Sequence, residues 1–390
     1  MAAPPKSRSW SWRSKAFRGV LYQVIVLALI FAAGAYLFSN TLENMRVRGI
    51  QSGFDFIWQP AGFGIGESVV PFDSSESYGK AFLVGLSNTF RVAILGIIMA
   101  TVLGTLVGIG RLSRNFLIRT LSGAYVDLLR NVPLLLQLFI WYFVLTELLP
   151  PIEEALHPLP GVFFSKNGLQ FPHPVWAPGH WATLIGFFVG CVGVWGWSRH
   201  VAARLAATGK PPMFALPAIG ILFGATLIGW FVGGAPSGLD LPEKTEINVI
   251  GGGSVTPEFL TVLFGLTIYT AAYIAEVVRA GIQSVPYGQH EASVSLGLSR
   301  AKELRLVQLP QALRVIIPPM TNQYLNLTKN SSLAVAVGYP DLVSISNTSL
   351  NQTGRAIECI AIVMAIYLTL SLLTSALMNW YNRRAAIKER

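Results

Sequence analysis

Eight apolar stretches with little or no charge constrain the fold of this chain more than any other feature. Seven of them contain no Asp, Glu, Lys or Arg: 19–42, 92–110, 131–146, 181–198, 211–239, 259–275 and 359–382. Most approach the ~17–25 residues that a helix needs to cross a bilayer. The eighth stretch, 314–338, is interrupted by Pro318, Pro319 and Lys329. We extend the short stretch 131–146 through Tyr125–Arg130. The pattern predicts an all-α, polytopic membrane protein with about eight transmembrane helices.

The distribution of charge gives these helices an orientation. Only 12% of the residues are charged, about half the fraction in a typical soluble domain. Residues 1–18 carry five basic side chains and no acid, which places the N-terminus in the cytoplasm. Eight spans return the C-terminus to that side. Most of the 29 Lys and Arg residues then lie inside and most of the 19 Asp and Glu residues outside, as the positive-inside rule requires. The net charge of +10 therefore reflects topology and not nucleic-acid binding.

The stretch 19–42 indicates a retained membrane helix and not a cleaved signal peptide. It is longer than the roughly 7–15 apolar residues of a signal peptide, and no small-x-small cleavage site follows it. Residues 43–80 are polar, Gly-rich and acidic, which suits an outer loop. Cys191 and Cys359 lie in apolar segments and do not form a disulfide framework.

Pairs of glycines four residues apart indicate where helices approach each other closely. Three such pairs fall in predicted spans: Gly104 and Gly108, Gly186 and Gly190, and Gly220 and Gly224.

A polar, basic segment between two apolar stretches predicts a hairpin of two short helices; we call residues 282–310 the elbow. Pro286 suits the first turn of the first helix, and Gly297 suits its end, where a left-handed conformation is required. Ser299 is placed to cap the second helix. Pro310 closes that helix or kinks it into the next span. These signals predict a rigid structure at the membrane surface that a soluble protein could bind.

The elbow also carries a family resemblance. It reads Glu291-Ala292-Ser293, Gly297 and Val307-Gln308-Leu309-Pro310, and this spacing resembles the Glu-Ala-Ala loop of permease subunits in ABC importers. Ser293 and Val307 replace the Ala and Ile of that pattern. The segment beyond it resembles the polar amino-acid branch of the family, the histidine/glutamine permease-like proteins. The long form of the chain is similar to general L-amino-acid permeases for glutamate, glutamine, aspartate and asparagine.

The resemblance implies a core of five helices, as in type I importers, within a longer chain. The implied divisions are a cytoplasmic N-terminus (1–18), an added helix (19–42), a periplasmic loop (43–81), the first part of the core (82–150), an insertion with two transmembrane helices and periplasmic loops (151–258), the second part of the core (259–382) with its coupling loop (282–310), and a cytoplasmic tail (383–390).

The resemblance also implies the partners. A dimer of ATPase subunits would grip the elbow through Glu291, Ala292, Gly297, Leu309 and Pro310. A second permease subunit, related to this one, and a periplasmic amino-acid-binding protein would complete an importer in the bacterial inner membrane. The chain itself has no Gly-x-x-x-x-Gly-Lys-Ser/Thr phosphate loop. We therefore expect it to be no enzyme and to hold no cofactor, with ATP and magnesium bound by the partner.

A second set of polar residues permits a structural or a functional reading. Arg130 and Gln137 belong to a pattern that resembles Arg-x-x-Pro-Leu-x-x-Gln in the family's second core helix. Asp127 and Arg130 are three residues apart and could pair on one helix face. An ionisable residue at a membrane boundary is otherwise a candidate for function.

Polar residues in the eighth stretch leave the same choice open. Asn322, Lys329 and Ser331 could line the translocation pathway, or mark a broken helix whose polar groups face protein. In the elbow, Arg300, Lys302 and Arg305 are either partner contacts or charges that hold the loop in the cytoplasm.

Other classes of function fit the sequence less well. His157, His173 and His180 lack the short paired spacing of a zinc site, and we expect no metal. A secondary transporter driven by an ion gradient is the main alternative, but such proteins show internal repeats, and we find no convincing one. The polar interruptions within the spans argue against a membrane scaffold without transport.

Overall fold

Helices dominate the computed structural model, which describes residues 14–47, 49, 52–209, 213–245 and 249–385. Of the predicted cytoplasmic N-terminus (1–18) and tail (383–390), residues 1–13 and 386–390 lie outside the described part of the chain. The helices are α1 (Lys15–Val47), α2 (Tyr78–Gly110), α3 (Phe116–Asn131), α4 (Leu134–Phe143), α5 (Gly179–Thr208), α6 (Ala215–Val232), α7 (Pro257–Gln283), α8 (Tyr287–Ser295), α9 (Arg300–Glu303), α10 (Leu309–Asn330), α11 (Leu342–Thr353) and α12 (Ala356–Ala385).

The helical membrane class predicted from hydropathy is confirmed. Among the described residues, α1, α2, α5, α6, α7 and α12 are long and apolar enough to span a membrane. The bent pair of α3 with Leu134–Leu148 raises the number to seven if it counts as one span. The eighth predicted span, 314–338, falls on α10 and the 3-10 turn Ser331–Val337. These are helical but more polar than the other spans, because α10 carries both prolines and Lys329.

The second predicted core span breaks where we had extended it. Residues 125–130 belong to α3, which ends at Asn131, and a new helix begins at Leu134. The two helices are bent by 106°. Pro133 accounts for the break, since its ring disfavours helical backbone in the preceding residue and it has no N–H to donate. The continuous helix predicted through Tyr125–Arg130 is therefore wrong.

The predicted loops around α5 and α6 contain short strands, which the sequence did not indicate. An antiparallel four-stranded sheet joins β1 (Leu156–Leu159), β2 (Val162–Ser165), β3 (Gly168–Phe171) and β8 (Gly253–Val255) in that order. Two ribbons pair β4 (His173–Pro174) with β5 (Leu239–Asp240), and β6 (Glu243–Lys244) with β7 (Val249–Ile250). The four-stranded sheet therefore joins strands that precede α5 to a strand that follows α6.

The chain divides into two compact units, one of which is Leu128–Tyr269 and the other the sequence on either side of it. Within the Leu128–Tyr269 unit, α5 packs against α6 through small residues. A Cβ atom added to Gly186 would lie 2.5 Å from the carbonyl oxygen of Ala225. Gly220 and Gly224 have nothing within 4 Å of such an atom in the described structure, so their predicted close helix contact is wrong. They lie on a face of α6 that meets no other helix backbone.

In the other unit, α2 approaches α7 at the first pair of predicted glycines. A Cβ atom on Gly104 would meet Ile274 at 2.6 Å and the carbonyl oxygen of Ala271 at 2.8 Å. A Cβ atom on Gly108 would lie 2.7 Å from the carbonyl oxygen of Ala275. The close approach predicted from this spacing is confirmed.

The predicted outer loop is held against the helices of its unit; we call residues 52–77 the docked segment. Phe56 is 1% exposed and belongs to an apolar cluster with Tyr78, Leu342 and Cys359. Burial of an aromatic side chain of this size is a large stabilising contribution. The docked segment is thus part of the core and not a free connection.

Polar contacts anchor both halves of the docked segment. Asp55 forms an ion pair with Arg355, which precedes α12, and Gly53 N donates to Glu358 Oε1 at 2.7 Å. Further along, Glu67 pairs with Arg91 of α2. The amide of Asn88 donates to the carbonyl oxygen of Glu67 at 2.8 Å.

Acidification is expected to break the ion pair between Asp55 and Arg355. The hydrogen bonds from Arg355 hold the pKa of Asp55 below its ordinary value. A carboxyl group with a lowered pKa stabilises the folded state above its ordinary pKa of about 4, and this stabilisation is lost as pH falls through the lowered value. We expect the amide hydrogens of residues 53–58 to be protected from exchange at neutral pH and less protected below about pH 4, where protection is taken relative to the intrinsic exchange rate at each pH. Asp55→Asn should show the lower protection at both.

Asp73→Asn is the matched control for this experiment. The pKa of Asp73 is also lowered, but by Ser75 of the same loop, so this substitution should leave exchange at 53–58 unchanged. Equal protection of wild type and Asp55→Asn at neutral pH would contradict the anchoring role.

Candidate coupling site

The first arm of the elbow is a nine-residue helix between a proline and a glycine. Pro286 stands immediately before α8, with extended backbone that turns the chain away from α7. The helix ends in a left-handed turn, since Gly297 has φ +70° and its N–H donates to Val294 O at 2.9 Å. Leu298 N donates to Ser293 O at 3.1 Å. The left-handed conformation predicted for Gly297 is confirmed.

The second arm of the elbow begins with α9 and continues without a break into α10. α9 is followed directly by a π-helical turn, Leu304–Gln308, and then by α10. Pro310 is the second residue of α10, so the prediction that it ends the second helix is wrong. The widened turn before it provides space for the ring, and such turns are frequent at functional sites. Ser299 precedes α9, but its side chain makes no capping hydrogen bond, contrary to prediction.

A buried carboxylate joins the two arms. Glu303 of α9 is 4% exposed, and its Oε1 accepts a hydrogen bond from Gln308 Nε2 at 2.6 Å. The same oxygen lies 2.7 Å from His290 Nδ1 of α8. Gln311 Nε2 donates to Gln289 Oε1 at 3.1 Å across the same joint. Because hydrogen bonds to a buried charged group contribute about 1.5–3 kcal/mol, the arms are held as one body. Glu303 was not predicted from the sequence, although it is an acidic residue among the basic residues Arg300, Lys302 and Arg305.

The outer surface of the elbow presents a carboxylate and apolar side chains. Glu291, Ala292 and Gly297 are exposed, and the Glu291 carboxylate has no hydrogen bond or ion pair within the described part of the chain. Leu296 is 78% exposed and Leu304 52%. Leu309 is exposed and Pro310 half-buried. Apolar side chains grouped beside a free charge are typical of a protein interaction surface.

An ionic network fixes the helix that leads into the elbow. Glu276 of α7 pairs with Arg111, at the end of α2, and with Arg279 on its own helix. Arg279 Nη1 donates to Gln283 Oε1 at 2.5 Å. Asp127 Oδ1 lies 3.9 Å from Arg111 Nη2. The sequence gave no sign of the pairing between Arg111 and Glu276, which are 165 residues apart.

The candidate pathway residues occupy several environments. Gln137 of α4 is buried, and its Nε2 donates to the carbonyl oxygens of Leu129 and Val132, at 2.9 Å each. It therefore satisfies backbone groups freed by the break after α3. Arg130 is exposed on α3.

The candidates in the eighth stretch differ in burial. Asn322 and Lys329 are exposed, whereas Ser331 is buried and donates to Thr328 O at 2.7 Å. Lys329 lines a cavity of about 410 Å³ with Ser332 and Tyr367. In the described residues, no group of three or more His, Cys, Asp or Glu side chains could hold a metal ion.

Comparison with known proteins identifies the family. The model of a family described as "Binding-protein-dependent transport system inner membrane component" matches residues 94–387. The chain is 43% identical over 391 residues to the general L-amino acid transport system permease protein of Rhizobium johnstonii, covering 99% of this chain and 98% of that one. It is 44% identical over 383 residues to a putative amino-acid ABC transporter permease protein of Escherichia coli, covering 98% of each.

A third relative carries a more specific description. The chain is 38% identical over 406 residues to the glutamate/glutamine/aspartate/asparagine transport system permease protein of Rhodobacter capsulatus, covering 96% of this chain and 95% of the relative. These alignments cover nearly the whole chain, including α1, α5 and α6. The resemblance found at residues 291–310 is thus confirmed over the whole chain, which belongs to the family of inner membrane components of binding-protein-dependent transport systems.

Proposed function

We propose that this chain is the membrane-spanning permease subunit of an ATP-driven importer for L-amino acids, chiefly the acidic amino acids and their amides. All three full-length relatives are described as amino-acid permeases, and the description of one of them names glutamate, glutamine, aspartate and asparagine. In this proposal both termini are cytoplasmic, which agrees with the excess of basic residues at 1–18.

The observation that carries the proposal is the geometry of the elbow. The elbow presents the carboxylate of Glu291, which has no partner in the described part of the chain, on the short helix α8. Glu303 of α9 holds that helix in place through its contact with His290, and it also bonds to Gln308. An ATPase subunit that binds this surface can displace both arms together. The second arm continues into α10 as far as Asn330, so the displacement reaches membrane depth without a flexible joint.

The mechanism is a two-state equilibrium between an inward-facing and an outward-facing pore. A ligand shifts such an equilibrium only by its difference in affinity for the two states. ATP supplies that difference when it closes the ATPase dimer, and the elbow transmits it. One chain has one elbow, so a second, related permease subunit must present the other. A periplasmic binding protein delivers the amino acid, and ATP with magnesium is bound by the ATPase.

Substrate-dependent ATP hydrolysis tests this proposal. We would reconstitute the assembled complex in proteoliposomes and measure hydrolysis with binding protein alone or with binding protein and glutamate, glutamine, aspartate, asparagine, lysine or leucine. The first four should stimulate hydrolysis and uptake. Uptake that persists without ATP and collapses when the ion gradient is dissipated would instead indicate a secondary transporter. Stimulation by lysine or leucine alone would contradict the substrate class.

A further inference from the structure

A second feature of the elbow is a cavity of about 410 Å³ beside its two arms. Its lining comes from three places along the chain: the turn between α2 and α3, the end of α7, and both arms of the elbow. Arg114 contributes from the first, Ile282 from the second, and His290 and Arg300 from the third. The volume falls within the range of small-molecule sites, roughly 300–1,000 Å³.

The charges at this cavity are unbalanced. Glu303 contributes the carboxylate among the lining residues, and it is already bonded to His290 and Gln308. Arg114 and Arg300 also line the cavity, and neither guanidinium has a hydrogen bond or an ion pair in the part of the chain that the structure describes. Two cationic side chains from separate elements therefore border the cavity, and the Glu303 carboxylate is already bonded to other residues.

Guanidinium groups at a cavity select for a particular ligand chemistry. Each presents a planar fork of N–H donors that matches the oxygens of a carboxylate or a phosphate. Tyr287 and apolar residues, which include Ile282, Val285 and Leu304, form much of the remaining wall. They suit the carbon skeleton of a small organic ion better than a bare inorganic one.

We propose that this cavity is a binding site for a small anion carrying a carboxylate or a phosphate, held between Arg114 and Arg300. Such a ligand would connect the turn between α2 and α3 to the second arm of the elbow. Because the elbow moves in the proposed function, a bound anion would favour the state in which the two arginines are closest.

Direct binding to the full-length chain in lipid nanodiscs tests this site. The probes are L-glutamate and inorganic phosphate, with L-glutamine as the matched ligand that lacks the side-chain carboxylate. We expect at least one of the two anions to bind with a millimolar or lower Kd. Arg114→Ala and Arg300→Ala should each weaken this binding by about tenfold or more, the loss expected for a charge-assisted hydrogen bond.

Lys302→Ala is the matched control, since it removes an exposed positive charge from the same helix without changing the cavity lining. It should bind the anion as wild type does. The proposal is overturned if neither anion binds, if Lys302→Ala loses as much affinity as Arg300→Ala, or if glutamine binds as tightly as glutamate while phosphate does not bind. Loss of binding when ATPase subunits are added would also overturn it, because the cavity would then belong to the subunit interface.

Discussion

Glu291→Lys is expected to abolish the stimulation of ATP hydrolysis by substrate-loaded binding protein, while the protein still inserts and folds. Glu291 is exposed on α8, and its carboxylate makes no contact within the described residues. The fold of this chain therefore does not depend on it. A contact with the ATPase subunit would depend on this carboxylate. A charge-assisted hydrogen bond is worth about 1.5–3 kcal/mol, and reversal of the charge adds repulsion. The stimulated rate should fall at least about tenfold.

Two further variants separate loss of the contact from damage to the helix. Ser299→Lys adds the same positive charge to an exposed residue of the elbow outside α8 and keeps the Glu291 carboxylate; it should retain most of the stimulation. Glu291→Gln keeps the shape of the side chain and should give an intermediate rate. The measurement is hydrolysis in proteoliposomes with and without glutamate-loaded binding protein, normalised to the amount of assembled complex. Wild-type stimulation in Glu291→Lys would remove Glu291 from the coupling contact.

Local signals explain why the elbow could be predicted from the sequence. Pro286 fixes its own φ, Gly297 permits the left-handed conformation at its position, and the structure places a helix boundary at each. The membrane spans could also be predicted from the sequence, because a helix that crosses lipid must be apolar over its whole length. In both cases the physical constraint acts on neighbouring residues in the sequence.

Features that depend on distant residues could not be predicted. Asp55 and Arg355 are 300 residues apart, and nothing near either one indicates the other. The strands of the insertion are two to four residues long, too short for a periodic pattern, and β3 pairs with β8 across two helices. The joint between His290 and Glu303 depends on the angle between the arms. Pro133 was a visible local signal, and the error there was to extend the span through it.

Gly104→Leu is expected to prevent α2 from packing on α7 and to destabilise the helical core. A Cβ atom at this position would already lie 2.6 Å from Ile274 and 2.8 Å from the carbonyl oxygen of Ala271. The first neighbour could change rotamer, but the second is backbone, so the helices must separate. Packing between membrane helices relies on close approach of this kind, because lipid provides no hydrophobic driving force. Overpacking typically costs about 1–3 kcal/mol, and a backbone clash should reach the upper part of that range.

Gly220→Leu is the matched control, since nothing lies within 4 Å of a Cβ atom there. It makes the same substitution in another membrane helix and should leave stability unchanged or slightly raised, because Leu favours helix over Gly by nearly 1 kcal/mol. The measurement is the midpoint of unfolding in mixed micelles with increasing denaturing detergent. Equal midpoints for the two variants would mean that α2 and α7 do not approach at Gly104. A low midpoint for Gly220→Leu alone would place a helix contact, such as one with the second permease subunit, on the outer face of α6.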